Sequence, residues 1–370
     1  MLWILLLSCE ESALRDGRQE TTALKLSDRE TELQASDSSI GDAFGHSVVC
    51  VDIDADGYGE LVVGASGVDQ LYVYPGSASG LDTAAEEILS SSLGSFGGTL
   101  ASGDVNGDGY PDLAVQDGSN TATVNILHGS ASGLDSSSEY SISASDGAAL
   151  DAFGASLSMA GDLNGDGYAD LIVGATRADA PLAESGALYI YLGSSAGLTA
   201  SSEQKLVPSD SVGTHYFGTD AIIVADQDGD GLDEVAVGAP GDNSFTGSVY
   251  LYFGSSTGVS AATESKITVS GTSHFGSTLS AADANGDGYS DLLVGSPRGP
   301  VSSSGTGLVY TFYGAATGLD TLSPDSLGEA SYRSDFGAKV RGLGDFDGDG
   351  YEDAVVQELA RYGGGTSMVF

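Results

Sequence analysis

The sequence predicts an all-β fold: a β-propeller of six four-stranded blades, or seven, closed into a ring by an N-terminal strand. Three observations predict it. An acidic nine-residue loop recurs six times, a Phe-Gly pair stands eight or nine residues before each copy, and short apolar strands with glycine-rich turns follow each copy. The loops begin at Asp52, Asp104, Asp162, Asp226, Asp283 and Asp345, which are 52, 58, 64, 57 and 62 residues apart. Four short strands repeated at that length mark propeller blades rather than a helical solenoid, and no stretch sustains a helical hydrophobic period.

Composition agrees. Of 370 residues 41% are hydrophobic, enough for a core, and 55 are glycine, which implies many tight turns. The 53 acids against 12 Lys plus Arg give a net charge of −41, which repels phosphate backbones and excludes nucleic acid as a partner.

Taken in chain order, residues 1–9 read "MLWILLLSC". The apolar run is too short to span a bilayer but fits the hydrophobic part of an export signal. Leu6-Leu7-Ser8-Cys9 is similar to a bacterial lipobox, with Cys9 as the lipidated residue and a lipid anchor as the one expected membrane contact. No Lys or Arg precedes the run, a departure from the export-signal pattern that a start further upstream would account for. Residues 10–23 read as a linker and 24–370 as the propeller. "ALKLSDRETELQ" reads as an unpaired fourth strand; the last unit stops at "GGGTSMVF" after its third, so joining the two would close the ring and remove an exposed edge. Cys50, in the strand-like "SVVCVD", reads as a buried free thiol, and the fold as one without disulfide staples.

Within a unit, Phe44, Phe96, Phe153, Phe217, Phe275 and Phe336 would fill the gap between blades, and the glycine after each would let two backbones approach. Strands such as "DLIVGA" and "LYIYLG" are apolar on both faces, as expected for strands covered on both sides. The Phe-Gly pair, the acidic loop and the Val-Gly-Ala/Ser ending resemble FG-GAP repeats, the units of the integrin α-subunit N-terminal propeller that also occur in bacterial exported proteins. The resemblance spans residues from about 24 to 370 and implies a propeller with calcium in the loops between first and second strands. It also implies a role in adhesion or extracellular ligand binding. "DLAVQD" and "DAVVQE" depart from the pattern in lacking the Gly-Ala step. Integrin α chains usually show seven repeats, which leaves blade number open.

Each loop places oxygen-bearing side chains at positions 1, 3, 5 and 9, with glycine at 6 for a sharp bend. Calcium takes six to eight oxygens from flexible loops of this type. The candidate ligands are Asp52, Asp54, Asp56 and Glu60; Asp104, Asn106, Asp108 and Asp112; Asp162, Asn164, Asp166 and Asp170. The remaining loops offer Asp226, Asp228, Asp230 and Glu234; Asp283, Asn285, Asp287 and Asp291; Asp345, Asp347, Asp349 and Asp353. In the fourth loop Asp233 competes with Glu234 as the closing ligand. Position 12 is an apolar strand residue, so the loops are not EF-hands. Asp-Gly and Asn-Gly also make plain hairpin turns, but a turn has no use for the ninth acid, which all six copies keep. Up to six Ca²⁺ are therefore expected.

Catalysis is not expected. Two GxSxG matches, at Ser195 and Ser256, lie in turns that read "GSASG" and "GAATG" in other units. His46, His128, His215 and His274 show no metal-ligand spacing, and His215 and His274 read as loop or edge residues. The function expected is ligand binding on the face away from the acidic loops. Three arginines stand there between second and third strands, Arg177, Arg298 and Arg361, as candidates for an anionic or glycan ligand, against the alternative of scattered surface charge. Three readings follow: an exported or cell-surface calcium-binding propeller for adhesion to an extracellular protein or glycan, a lectin-like module, or an accessory domain of an extracellular enzyme.

Overall fold

A computed structural model of the chain describes residues 2–4, 31–33, 41–84, 87–90, 96–117, 123–148, 150–179, 184–211, 213–298, 307–328, 334–345, 348–360 and 365–369. Of the expected signal only residues 2–4 are among them; Cys9, the linker and Arg361 lie outside.

Six antiparallel meanders follow one another in chain order. Sheet I is formed by Phe44–Val51, Glu60–Ala65, Gln70–Tyr74 and Glu87–Ser90. Sheet II is formed by Phe96–Gly103, Asp112–Asp117, Thr123–His128 and Asp135–Ser143. Sheet III takes Phe153–Ser158, Leu171–Ala175, Ala187–Tyr191 and Gln204–Leu206. Sheet IV takes Ala221–Val224, Glu234–Ala239, Ser248–Tyr252 and Ser265–Ile267. Sheet V takes Thr278–Ala282, Asp291–Ser296, Leu308–Phe312 and Asp325–Gly328. Sheet VI has three strands, Ser334–Gly344, Asp353–Ala360 and Gly365–Val369.

The second strands explain the layering. Glu234–Ala239 and Asp291–Ser296 are buried at every residue, because each lies between two neighbouring sheets, and Glu60–Ala65 of sheet I is buried throughout as well. Fourth strands are the outer edges: Asp325–Gly328 is exposed throughout. Each sheet packs on the next through an apolar cluster, and the phenylalanine of the Phe-Gly pair sits in it. Phe153 joins Val124 and Ile126 of sheet II to Leu171 and Tyr189 of sheet III. Phe217 and Phe275 do the same between sheets III and IV and sheets IV and V. Phe44, Phe153, Phe217 and Phe275 also meet a tyrosine of their own third strand edge-on, as in Phe217–Tyr250 at 5.5 Å, a geometry that adds about 0.5–1.5 kcal/mol to the burial.

The glycines do what the spacing suggested. A Cβ on Gly238, in the second strand of sheet IV, would lie 2.0 Å from the carbonyl oxygen of Gly276 in the next sheet's Phe-Gly pair. Gly64 stands in the same relation to Gly97, Gly174 to Gly218, and Gly295 to Gly337. The Val-Gly-Ala step and the Phe-Gly step are thus two halves of one backbone contact between sheets. Sheet II has Gln116 in place of the first half, and its side chain packs against Gly154 instead.

Two expectations change or go unmet. Cys50 is exposed and disulfide-bonded, not a buried free thiol, so the fold does carry a disulfide. The first strand of sheet I alternates in burial, and Cys50 falls on its outward side. At the N-terminus, Thr31–Leu33 pairs antiparallel with Leu2–Ile4; the pairing expected between residues 24–34 and sheet VI is not among the described strands.

Candidate functional site

In a meander, the first-to-second and third-to-fourth connections share one end of the strands. The second-to-third connection and the link to the next sheet share the other. The acidic loops therefore line one face of the molecule in a row. Loops I to III are anchored by an apolar residue at position 2: Ile53, Val105 and Leu163 are buried. In loop IV the buried residue is Gln227, whose amide donates to the Ser290 carbonyl of loop V at 3.2 Å.

The first aspartate organises the bend. The backbone N–H groups of Gly165 and Asp166 donate to Asp162 Oδ1 at 2.7 and 3.1 Å, and that of Gly167 donates to Oδ2 at 2.7 Å. Asp104, Asp226 and Asp345 accept the same three bonds, and Asp52 and Asp283 accept two. To turn this tightly, positions 4 and 6 take left-handed backbone, as in Gly165 at φ +74° and Gly167 at φ +87°. In loop I the fourth position is Ala55, held at φ 56° despite its Cβ.

The side chains then converge. Ligand oxygens of Asp52, Asp54 and Glu60 lie within 4.8 Å of one another, as do those of Asp226, Asp228 and Asp230. In loops II, III and V the third and fifth side chains meet, as Asn106 Nδ2 donating to Asp108 Oδ2 at 3.1 Å, Asn164 to Asp166 at 3.0 Å and Asn285 to Asp287 at 3.0 Å. In loop VI Asp345, Asp349 and Asp353 are described and Asp347 is not.

In loops I to V the ninth acid differs from the rest in being buried. Asp112, Asp170, Glu234 and Asp291 are at most 1% exposed. Asp170 accepts from the N–H groups of Leu163 and Gly193, both at 2.8 Å, tying the loop to the end of the third strand. Asp112 and Asp291 make the equivalent pairs. Burial, reinforced by the neighbouring carboxylates, raises Asp170 to about 7, Glu234 to about 8 and Asp291 to about 6. Glu60 and Asp112 are raised chiefly by burial as well. Glu234 Oε2 accepts from Gln227 N–H at 2.6 Å, but Glu234 Oε1 is buried with no hydrogen-bond partner.

That orphaned oxygen, beside three carboxylates, tests whether the loop suits a cation. An all-oxygen donor set on a glycine-hinged loop is what a hard divalent ion takes, and a buried carboxylate oxygen without a donor is costly unless one is supplied. The residues fit calcium. Loop IV also resolves the choice between its two acids. Glu234 occupies the ninth-acid place, while Asp233 bridges loops: its Oδ1 accepts from Asp226 N–H and its Oδ2 from Asp162 N–H.

Two features escaped sequence reading. His128 Nδ1 lies 2.8 Å from Asp112 Oδ1 and 3.2 Å from Asn106 Nδ2, giving loop II an imidazole neighbour. Only its alignment just before Gly129, where other units carry Pro75, Leu192, Phe253 or Tyr313, could have flagged it. His215, read as a loop or edge residue, is 3% exposed with Nε2 3.4 Å from Asp242 Oδ1. Ser195 and Ser256 do sit in turns, closed by Ser194 and Ser255 donating to the carbonyls of Gly197 and Gly258. On the opposite face Arg177 and Arg298 are exposed and belong to different sheets, III and V; Arg298 Nη1 is 3.3 Å from His274 Nε2.

The FG-GAP repeat model matches residues 153–191 and 275–312, and the FG-GAP-like repeat model matches 52–115. The chain carries FG-GAP repeats. Similar stretches occur in phosphatidylinositol-glycan-specific phospholipase D of Bos taurus, 37% identical over 168 residues, or 42% of this chain and 20% of that protein. Integrin alpha-PS5 of Drosophila melanogaster is 37% identical over 42% of this chain and 16% of its own length. Integrin alpha-7 of Homo sapiens is 41% identical over 39% of this chain and 12% of its own length. The matched FG-GAP stretch is thus a fifth or less of each of these relatives. Among the described residues no helix is long and apolar enough to cross a membrane.

Proposed function

We propose that the chain is an exported, calcium-binding β-propeller of six blades whose work is adhesion or extracellular ligand binding, not catalysis. The observation that carries this reading is the acidic row, above all Glu234 Oε1, a buried oxygen without a donor set against Asp226, Asp228 and Asp230. The side chains at positions 1, 3, 5 and 9 of each loop would hold one ion, up to six in all. When bound, calcium supplies the positive charge that the clustered carboxylates lack. The protein's own part is to hold each bend with the first aspartate and to tie it to the third strand with the ninth acid. The likeness to integrin α chains supports the adhesive role. Burial of Leu61, Val63, Tyr72 and Tyr74 on the sheet I face turned away from sheet II supports a closed ring.

Equilibrium dialysis against radioactive calcium tests the metal reading, with four to six ions per chain expected; no binding at millimolar calcium would overturn it. Capture of a surface ligand that is lost in chelator and regained with calcium tests the adhesive one.

A second reading rests on the phospholipase D relatives: the propeller as an accessory domain of an extracellular enzyme. Hydrolysis of a phosphatidylinositol-glycan by this chain alone would overturn the non-catalytic assignment.

A further inference from the structure

On the face opposite the acidic loops, sheet IV carries a cavity lined by Asp210, Thr214, His215, Asn243, Phe245 and Lys266, among others. Part of its floor is structural. Lys266 Nζ lies 2.6 Å from Asp210 Oδ2 and 5.0 Å from the Tyr250 ring centroid, and Tyr250 Oη donates to Asp210 Oδ1 at 2.8 Å. Sheet III repeats this clasp with Lys205, Asp146 and Tyr189, so it belongs to the fold.

Sheet IV adds what the clasp does not need. Asp242 accepts from Ser248 Oγ and from Lys266 at 2.6 Å. It is followed by three consecutive non-glycine residues in left-handed backbone, Asn243, Ser244 and Phe245, at φ 47°, 57° and 67°. L-residues adopt that conformation at a cost of about 1–2 kcal/mol each. The turn does not use this strain to bury its aromatic ring: Phe245 stays 43% exposed. It lies against His274, stacked at 5.4 Å, and Tyr216, tilted at 6.4 Å. Both neighbours stand just before a Phe-Gly pair, where sheets I and III carry Ala43 and Ala152 in the same left-handed state. The fold is satisfied by alanine there; only sheets IV and V put aromatic rings at that position, on either side of Phe245.

We propose that this cavity binds a neutral sugar ring of a glycan, stacked on Phe245 and hydrogen-bonded by Thr214, Asn243 and Ser244. This rests on the ligand-binding reading above and names its ligand class. The charges of the floor select the ligand. Asp210 and Asp242 flank the site against anions, and Lys266 already satisfies both, so no counter-charge is called for. What remains open to solvent is an aromatic ring beside hydroxyl and amide groups, which is the surface of a pyranose in complement: apolar C–H face against ring, hydroxyls against polar rim.

The test uses the calcium-loaded chain with methyl α-mannoside, methyl β-galactoside and N-acetylglucosamine as probes, by saturation-transfer NMR and titration calorimetry. At least one probe should bind. Phe245→Ala should weaken it roughly tenfold or more, with unchanged melting temperature and calcium content, and Arg177→Ala should leave it unaltered. Thr214→Ala, at an exposed position, provides a second variant with a smaller loss. The proposal is overturned if none of the probes binds, if Phe245→Ala binds as well as the parent, or if binding requires a sulfated or sialylated sugar and is lost in Arg298→Ala. Failure here with intact calcium binding and calcium-dependent capture of a protein ligand leaves the adhesive propeller standing. Loss of calcium binding sinks that reading and not this one, because the two sites lie on opposite faces.

Discussion

Calcium removal should bring this protein close to unfolding. In loops I and IV three carboxylate oxygens lie within 4.8 Å; two unit charges at that separation repel by about 3.5 kcal/mol at an effective dielectric of 20. Solvent screens part of this, since Asp56 and Asp230 are exposed. From the binding side, calcium at ten times its dissociation constant contributes about 1.4 kcal/mol per loop, or ~8 kcal/mol over six. An ordinary domain has about 5–15 kcal/mol in total. With an unfolding entropy of about 2.1 cal/mol/K per residue, ~330 residues melting as a unit give ~0.7 kcal/mol/K, so chelation should lower the melting temperature by roughly 12 °C. Differential scanning calorimetry with and without chelator reads this directly, and magnesium should restore little of the loss because it demands a tighter octahedral shell. A melting temperature unmoved by chelator would show that the carboxylates are tolerated without a metal, and the reasoning would fail.

Two further outcomes follow from the same geometry. Without metal, Asp170, Glu234 and Asp291 are raised to about 7, 8 and 6, well above the values they would have unfolded. The native state then holds protons that the unfolded chain releases, so stability is full below about pH 4 for these groups and is lost as pH rises through 6 to 8. Chelated protein should melt higher at pH 5 than at pH 8, and a flat or opposite profile would count against protonated ninth acids. Gly238→Ala should destabilise by about 3 kcal/mol or more in denaturant titration, because its Cβ would lie 2.0 Å from a backbone oxygen of the next sheet. Gly288→Ala, with open space but φ +88°, should cost only about 1–2 kcal/mol.

Much of this architecture was legible because each unit repeats a backbone constraint that only certain residues meet. Phe-Gly and Val-Gly-Ala are the two sides of one inter-sheet contact, so their recurrence marked every sheet, and the positions of the acidic loops fixed which strand ends share a face. Contacts made once were not legible. The disulfide at Cys50 depends on which face of an alternating strand the thiol occupies, and "SVVCVD" is apolar on both. The left-handed run Asn243–Phe245 carries no glycine to announce it, and its meaning comes from Tyr216 and His274, which are 29 and 29 residues away along the chain. Of the arginines proposed from position alone, Arg177 and Arg298 fall on separate sheets, whereas the cavity is built from residues whose sequence neighbours gave no common pattern.

The row of loops has one property that no single loop shows. Ala169 N–H donates to the Asp104 carbonyl at 2.9 Å, Asp233 N–H to that of Asp162 at 3.2 Å, and Glu352 N–H to that of Asp283 at 3.0 Å. In each case the eighth residue of one loop holds the first residue of the loop before it. Where that eighth residue is acidic the tie is doubled, since Asp233 Oδ2 and Glu352 Oε2 accept from the N–H groups of Asp162 and Asp283 at 2.7 and 2.8 Å. The side chain of Asp233 therefore positions a proposed ligand, Asp162, that belongs to the neighbouring loop. A hydrogen bond to a charged group contributes about 1.5–3 kcal/mol, so its loss should weaken calcium binding in loop III by roughly tenfold. The clean measurement starts from Asp226→Ala, which disables loop IV, and adds Asp233→Ala. Calorimetric titration of the double variant should then show one further site with reduced affinity. If the added substitution changes nothing once loop IV is disabled, Asp233 acts only within its own loop and the row consists of independent sites.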